Sequence, residues 1–122
     1  MGSCAARRPR GPVRRGDVYF VDLDPRAGHE IRKRRPVLIV SPSEFNRRNM
    51  PLVAPITGGG ERARLGLMTV PLAGSRTTGV VLCNQIRVLD LEARGGKRAE
   101  RLREEITSAV VARIADIFEL RL

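Results

Sequence analysis

The chain has 122 residues, of which 42% are hydrophobic and 30% charged, enough for one domain with its own core. Its formal net charge of +10 predicts polyanionic partners, and nucleic acid is the first candidate. A membrane partner is disfavoured, because the apolar runs are too short to span a bilayer and no long helix pairs a basic face with bulky aromatics.

Aromatic and sulfur-containing residues narrow the chemistry further. Aromatics make up only 3% of the chain, so arginine planes would have to supply much of the stacking on single-stranded bases. Cys4 and Cys83 lie far apart and lack the spacing of zinc ligands, and we expect neither a metal site nor a cofactor. No signal peptide is visible, and a reducing cytoplasm fits best.

The N-terminal part begins with a basic arm. Residues 1–13 combine small residues, Gly, Pro and arginines, and are predicted to be disordered, ahead of one domain over residues 14–122. The β-branched and aromatic residues of 16–23 predict a first strand, which Asp24-Pro25 ends. Some of the net charge therefore belongs to the arm.

A cationic loop and an apolar strand follow, in the sequence PRAGHEIRKRRPVLIVS over residues 25–41. Residues 36–40 predict a strand, and their apolar side chains on both faces predict that it is central. Pro36 biases Arg35 toward an extended conformation, so Arg35 is expected at the rim of the sheet. The simpler interpretation of the loop is a solvated basic segment.

The rest of the chain alternates short strands with turns. A short helix is predicted to start within 41–44 and to end within 46–49. Further strands are predicted over 52–57, 67–72, 79–83 and 85–89. Pro55 implies an edge, a bulge or a strand end, and the alternation after residue 85 places Gln85 and Arg87 on one face.

From about Leu102 the pattern becomes helical. The apolar stripe consists of Leu102, Ile106, Val110, Ile114, Ile117 and Phe118. Five or six short strands followed by one helix predict a mainly β (α+β) fold, a small barrel closed by the C-terminal helix.

Three separated pieces are expected to form one site: GHEIRKRRP (28–36), PIT (55–57) and LCNQIRVLD (82–90). Together with the RGDVYFVDLDP opening, this ordered set resembles the MazF/PemK family of toxin ribonucleases, over residues 14–120. The resemblance implies an SH3-like, CcdB/MazF-like barrel that forms a homodimer. It also implies a type II toxin–antitoxin system, with an antitoxin whose acidic, disordered tail lies between the protomers.

The implied activity is sequence-specific cleavage of single-stranded messenger RNA without a metal. Carried over by position, the catalytic residues are Glu30, Arg35 and Thr57. The implied RNA-binding residues are His29, Arg32, Lys33, Arg34, Asn84, Gln85 and Arg87. Several family members have an acid in place of Asn84; since Asn takes no proton, Glu30 is left as the base. The alternative is a non-catalytic module on the same barrel that binds RNA or DNA.

The chemistry of these residue types agrees with that role. Metal-free RNA cleavage needs a base for the 2′-hydroxyl, cationic donors on the phosphate and an acid for the leaving 5′-oxygen. Glu30 is a suitable base, Arg35 a fixed positive charge, and the Thr57 hydroxyl a donor to phosphate. His29 titrates nearest neutrality and is the rival acid or base. In simpler structural interpretations, Glu30 pairs with an arginine and Thr57 merely ends a strand.

Overall fold

The structure is a computed structural model that describes residues 11–23, 34–58 and 68–119. Seven strands lie in these ranges: β1 (Asp17–Asp22), β2 (Arg34–Ile39), β3 (Leu52–Thr57), β4 (Thr69–Pro71), β5 (Val80–Leu82), β6 (Arg87–Val88) and β7 (Lys97–Arg101). Two helices accompany them, α1 (Ser43–Arg48) and α2 (Glu104–Glu119). Neither helix is both long and apolar enough to cross a membrane.

The strands form one antiparallel sheet in the order β4-β5-β3-β2-β1-β7, with β6 also paired to β3. The predicted mainly β class with a C-terminal helix is confirmed. The sheet itself is not closed, since no backbone pairing joins β4 to β7 within the described ranges.

The centre of the sheet is β2, as its apolar sequence predicts. Val37, Leu38 and Ile39 are fully buried, and β2 lies between β1 and β3. Because side chains alternate along a strand, both faces of the sheet bear a core. The helix face contains Val18, Leu38, Val40, Ala54, Ile56, Val70, Leu72, Val81, Cys83, Leu102, Ile106 and Val110. The loop face contains Val13, Tyr19, Val21, Val37, Ile39, Val53, Leu89 and Leu91.

The start of the domain is anchored by Val13. Its side chain is 9% exposed and packs on the loop face, and its carbonyl accepts a 2.9 Å hydrogen bond from the side-chain amide of Asn46. Val13 is the last residue of the stretch assigned to the basic arm. Residues 1–10 of that arm lie outside the described ranges, and its disorder stays a prediction.

Helix α1 begins without a side-chain cap, because its N-cap residue is Pro42. The neighbouring Ser41 stabilises the turn in another way. Its hydroxyl lies 2.5 Å from the side-chain oxygen of Asn46 and accepts a 2.9 Å hydrogen bond from the backbone N–H of Leu52. Ser41 therefore joins α1 to the start of β3.

Helix α2 packs through the predicted stripe, but only along part of its length. Ile106 and Val110 are buried on the helix face, and Ile114 packs against the same core. Phe118, predicted to lie in the stripe, is 76% exposed. Burial decreases along the helix because the last turn extends past the cluster against which the first turns pack.

Strand β7 was not predicted, because four of the five residues in its sequence KRAER are charged. Its pairing with β1 is supported by Asp17, whose side chain is 2% exposed. The Asp17 carboxylate lies 3.3 Å from the guanidinium of Arg98 and 2.9 Å from that of Arg101. A buried charge needs such partners, so the arginines of β7 help to hold the strand in place.

Pro55 lies inside β3 although proline has no N–H to donate. On one side β3 pairs with β2, where Pro55 is opposite Val37. On the other side β3 pairs with β6 up to Val53 and with β5 from Ile56 onward. Pro55 therefore falls where β3 changes its partner, so the missing donor interrupts neither ladder.

Candidate nucleic-acid interface

Arg35 and Thr57 lie at the same end of the β2–β3 ladder. The last paired residues at that end are Val37 on β2 and Pro55 on β3. Two further residues along each strand lead to Arg35 and Thr57, which share the loop face with Val37 by alternation. Arg35 is also opposite Val21 of the loop face. The sheet thus brings a guanidinium and a hydroxyl to one end of one face.

The backbone at Arg35 is held in a strand. Arg35 is the second residue of β2, and Pro36 follows it, opposite Phe20 of β1. The expectation that Arg35 is extended at the rim of the sheet is confirmed. Its side chain is exposed, so the guanidinium is anchored at its base and accessible at its tip.

The connection from β5 to β6 borders β3 on its other side. Asn84 and Gln85 are exposed in this turn, where the Gln85 N–H donates to the Leu82 carbonyl at 3.2 Å. Arg87 is exposed and lies opposite Val53, so it shares the loop face with Thr57. The strand predicted over 85–89 is shorter in the structure, only Arg87–Val88.

Along β3, Val53 and Thr57 are separated by four residues, or about 13 Å of extended strand. Arg87 is therefore well separated from the Arg35 and Thr57 end. An extended polyanion along this face would meet the two arginines at different places.

Arg34 is arranged differently from Arg35. Its Nη2 donates to the carbonyl of Phe20 at 2.9 Å and to the carbonyl of Gly95 at 2.6 Å. The guanidinium is thus bound to main chain, although the residue is exposed.

Four predicted residues, His29, Glu30, Arg32 and Lys33, lie outside the described ranges. The residues that flank this gap are close to each other, since Asp22 at the end of β1 is opposite Arg34 at the start of β2. The described residues before and after 24–33 therefore lie at the end of the sheet where Arg35 and Thr57 lie.

Gly79 is a residue of the site that the sequence analysis did not single out. Its φ is +121°, and a Cβ at this position would lie 2.2 Å from the carbonyl oxygen of Thr57. Only glycine allows this approach. The signal in the sequence is weak, a single Gly between Thr78 and the apolar run of β5.

The described residues also include possible metal ligands and one buried thiol. Within them, no group of three His, Cys, Asp or Glu side chains is arranged to hold a metal ion. Cys83 is fully buried, and burial raises the pKa of its thiol to about 11, against a smaller opposing effect of Arg113. A thiol in this state is no nucleophile at neutral pH.

Known proteins are similar to this chain in sequence and in fold. The family described as "PemK-like, MazF-like toxin of type II toxin-antitoxin system" matches residues 14–118. The chain is 49% identical over 113 residues to "Endoribonuclease PemK" of Escherichia coli, which covers 90% of this chain and 85% of that protein. It is 42% identical over 108 residues to "Endoribonuclease toxin ChpB" of E. coli strain K12, and the match covers 86% of this chain and 93% of that protein.

Two solved structures illustrate the likeness in fold. MazF of Deinococcus radiodurans superposes with a TM-score of 0.74 at 24% identity, covering 89% of this chain and 98% of that one. A mycobacterial endoribonuclease described in complex with its cognate antitoxin gives a TM-score of 0.72 at 22% identity, covering 90% and 98%.

Proposed function

Because this chain belongs to the PemK-like, MazF-like toxin family of type II toxin–antitoxin systems, we propose that it is an endoribonuclease that cleaves single-stranded messenger RNA at specific sequences without a metal ion. The family assignment made from the sequence is confirmed. The endoribonuclease class rests on the relatives, while the target, the mechanism and the residue roles are our proposal.

The observation that supports the mechanism most directly is the position of Arg35 and Thr57 at one end of the loop face. A guanidinium remains protonated at neutral pH and presents planar donors to phosphate oxygens. A threonine hydroxyl can donate to a third oxygen of the same group. Both side chains start from paired strands, so their backbone positions are preorganised, which favours stabilisation of a pentavalent phosphate.

The proposed reaction uses the 2′-hydroxyl of the RNA as the nucleophile. Glu30 takes its proton, the 2′-oxygen bonds to phosphorus, and the bond from phosphorus to the 5′-oxygen breaks. The leaving oxygen gains a proton, for which His29 is the candidate acid. The products are a 2′,3′-cyclic phosphate and a free 5′-hydroxyl. The adjacent hydroxyl is already in place, which supplies the proximity advantage.

The remaining residues are proposed to bind the RNA on either side of the cut. Asn84, Gln85 and Arg87 follow β3 away from Thr57, and Arg32 and Lys33 add positive charge from the segment before β2. Arg87 is set for a phosphate other than the one held by Arg35, given their separation along β3. Since Asn84 accepts no proton, its proposed role is restricted to hydrogen bonding.

We also propose the partners that accompany this function. A cognate antitoxin with an acidic, disordered tail would complement a protein of net charge +10. A homodimer would cover strand edges, since β4 and β7 each have one strand partner in the described part of the chain. The proposed compartment is the cytoplasm, where messenger RNA and a free thiol are both expected.

The deciding experiment is cleavage of a defined RNA by the purified protein, with and without a chelator. A single 2′-deoxy nucleotide at the cut site should stop cleavage while binding persists, and EDTA should have no effect. Arg35→Ala should lose about 10² to 10³ in rate, the scale for one preorganised donor. The matched control is Arg47→Ala, the same change on exposed α1, which should retain the rate.

Other results would redirect the proposal. Cleavage of the 2′-deoxy substrate would rule out the 2′-hydroxyl as nucleophile. Binding of RNA by the wild-type protein without any cleavage would favour the non-catalytic binding module. Full activity in Glu30→Gln together with its loss in His29→Ala would make the imidazole the base.

A further inference from the structure

We propose that Arg34 is a positioning residue, whose bonds to the main chain of Phe20 and Gly95 hold in place the backbone from which the Arg35 side chain starts, and that it does not bind RNA. This inference rests on the proposed endoribonuclease function. It assigns to Arg34 a role different from the one that the family resemblance implied.

The side chain of Arg34 joins three strands. Arg34 starts β2, and β1 lies between β2 and β7 in the sheet. Phe20 belongs to β1 and pairs with Lys97 of β7, while Gly95 lies just before β7. To reach both carbonyls the side chain must cross β1. The start of β2 is therefore attached to the turn before β7, on the other side of β1.

The two hydrogen bonds use the donors of one atom. Nη2 has two N–H groups, and it donates to Phe20 at 2.9 Å and to Gly95 at 2.6 Å. Hydrogen bonds from a charged donor are shorter and stronger than neutral ones. A third acceptor at Nη2, such as an oxygen of an RNA phosphate, would have to displace one of these two carbonyls.

The acceptor at Gly95 is itself fixed. Gly95 has a φ of +62°, and a Cβ there would lie 3.4 Å from Nη1 of Arg34. Its neighbour Arg94 is tied to the end of β1 twice: the Asp22 N–H donates to the Arg94 carbonyl at 3.0 Å, and Nη1 of Arg94 donates to the Asp22 carbonyl at 3.1 Å. Arg34 thus binds to a turn that is held against β1.

The alternation of β2 separates Arg34 from the proposed site. Arg35 lies on the loop face, opposite Val21, whereas Arg34 is opposite Asp22 and shares its face with Leu38 of the helix face. Consecutive residues on opposite faces cannot both face one bound strand. Holding Arg34 nevertheless constrains the backbone at Arg35, because one peptide bond joins the two residues. Rate is sensitive to such placement, since a shift of about 1 Å can cost about 10².

The test separates turnover from binding. Turnover (kcat) and KM are measured for Arg34→Ala, Arg34→Lys and wild type on a cleavable RNA. Affinity and its dependence on salt are measured with the same RNA bearing one 2′-deoxy nucleotide at the cut. The control is Arg103→Ala, an exposed arginine that donates to the Ala73 carbonyl at 3.4 Å on another part of the surface.

We expect Arg34→Ala to lower kcat about 10- to 100-fold, with affinity and salt slope equal to those of wild type. Arg34→Lys should restore part of kcat, because an ammonium can still donate to one carbonyl. The control should match wild type throughout. Far-ultraviolet circular dichroism at the assay temperature should show each variant as folded as wild type.

Three outcomes would overturn the inference. A salt slope flatter by about 0.7, with weaker affinity, would make Arg34 a phosphate contact. An unchanged kcat in Arg34→Ala would remove any positioning role. A loss of kcat that matches the loss of folded protein would show that Arg34 only stabilises the fold. If wild type itself cut no RNA, the proposed function would fail instead, which is a separate result.

Discussion

The carboxylate of Glu100 accepts a 2.6 Å hydrogen bond from the backbone N–H of Thr77. Glu100 lies on β7, and Thr77 lies in the hairpin between β4 and β5, so the bond links the two ends of the open sheet. The backbone N–H of Arg76 adds a second bond to Glu100 at 3.3 Å, and the Arg76 guanidinium donates to the Ala99 carbonyl at 3.2 Å. Side chains thus join two ends of the sheet between which the described residues form no strand pairing.

The first prediction concerns stability in acid. Burial alone would raise the pKa of Glu100, but hydrogen bonds from Thr77 and Arg76 outweigh it and lower the pKa below its usual 4.5. A carboxyl with a lowered folded-state pKa stabilises the protein above its unfolded pKa, and this is lost as the pH falls through the folded one. Glu100→Gln should therefore reduce the free energy of unfolding at neutral pH and leave it unchanged below both pKa values.

Urea unfolding at neutral and acidic pH measures this effect. Glu92→Gln is the control, because Glu92 is exposed and the substitution removes the same charge at another place on the surface. An equal loss for Glu100→Gln at both pH values would show that packing, and not the carboxylate, holds the hairpin to β7.

The second prediction concerns the buried carboxylate of Asp17. Its partners Arg98 and Arg101 are about half exposed. If Asp17 were removed, water could therefore hydrate either guanidinium. The reverse does not hold: a buried carboxylate without partners costs about 3–5 kcal/mol. Arg98→Ala and Arg101→Ala should each destabilise modestly, and the double variant by more than their sum. Thermal or urea unfolding of the four proteins gives this double-mutant cycle, and strict additivity would contradict it.

The third prediction tests the contact between Gly79 and Thr57. A Cβ at Gly79 would lie 2.2 Å from the Thr57 carbonyl, so Gly79→Ala must move the end of β3 and should reduce RNA cleavage as well as stability. The matched control is Gly74→Ala, because Gly74 also has positive φ but its Cβ would meet only the end of the Arg103 side chain. Equal rates of RNA cleavage for the two variants would argue against a catalytic role for Thr57.

The fourth prediction concerns Arg87 as a phosphate contact. Log affinity for a single strand falls with log salt by about 0.7 per neutralised phosphate. Arg87→Ala should flatten the slope by about that amount and raise KM, with kcat retained. Fluorescence anisotropy with the 2′-deoxy substrate measures the slope, and Arg113→Ala on α2 is the control. A slope equal to that of wild type would place Arg87 outside the RNA path.

The buried strands could be predicted from the sequence, because burial requires runs of apolar residues. The bounds predicted for β3 match the structure, and the apolar run 37–40 placed β2 at the centre. Strand β7 left no such pattern, since KRAER pairs along an edge and directs arginines to Asp17. Its existence depends on a partner far away in the sequence.

The roles of individual arginines were equally hidden. A run such as RKRR predicts positive charge, but it does not tell which guanidinium turns back to the main chain. Arg34 does so because the carbonyls of Phe20 and Gly95 meet in space, 14 and 61 residues away in the chain. The close approach of Gly79 to Thr57 is likewise visible only once β3 and β5 are paired.

The change of partner along β3 has a consequence for the toxin while it is being synthesised. Thr57 is paired with Val80 of β5, which follows it by 23 residues and takes roughly one to five seconds more to translate. Until then the nascent chain contains both Arg35 and Thr57 but not β5, the strand whose Val80 pairs with Thr57. A ribosome producing this protein is thus not exposed to the fully paired form of the proposed site until well over half of the chain has been made.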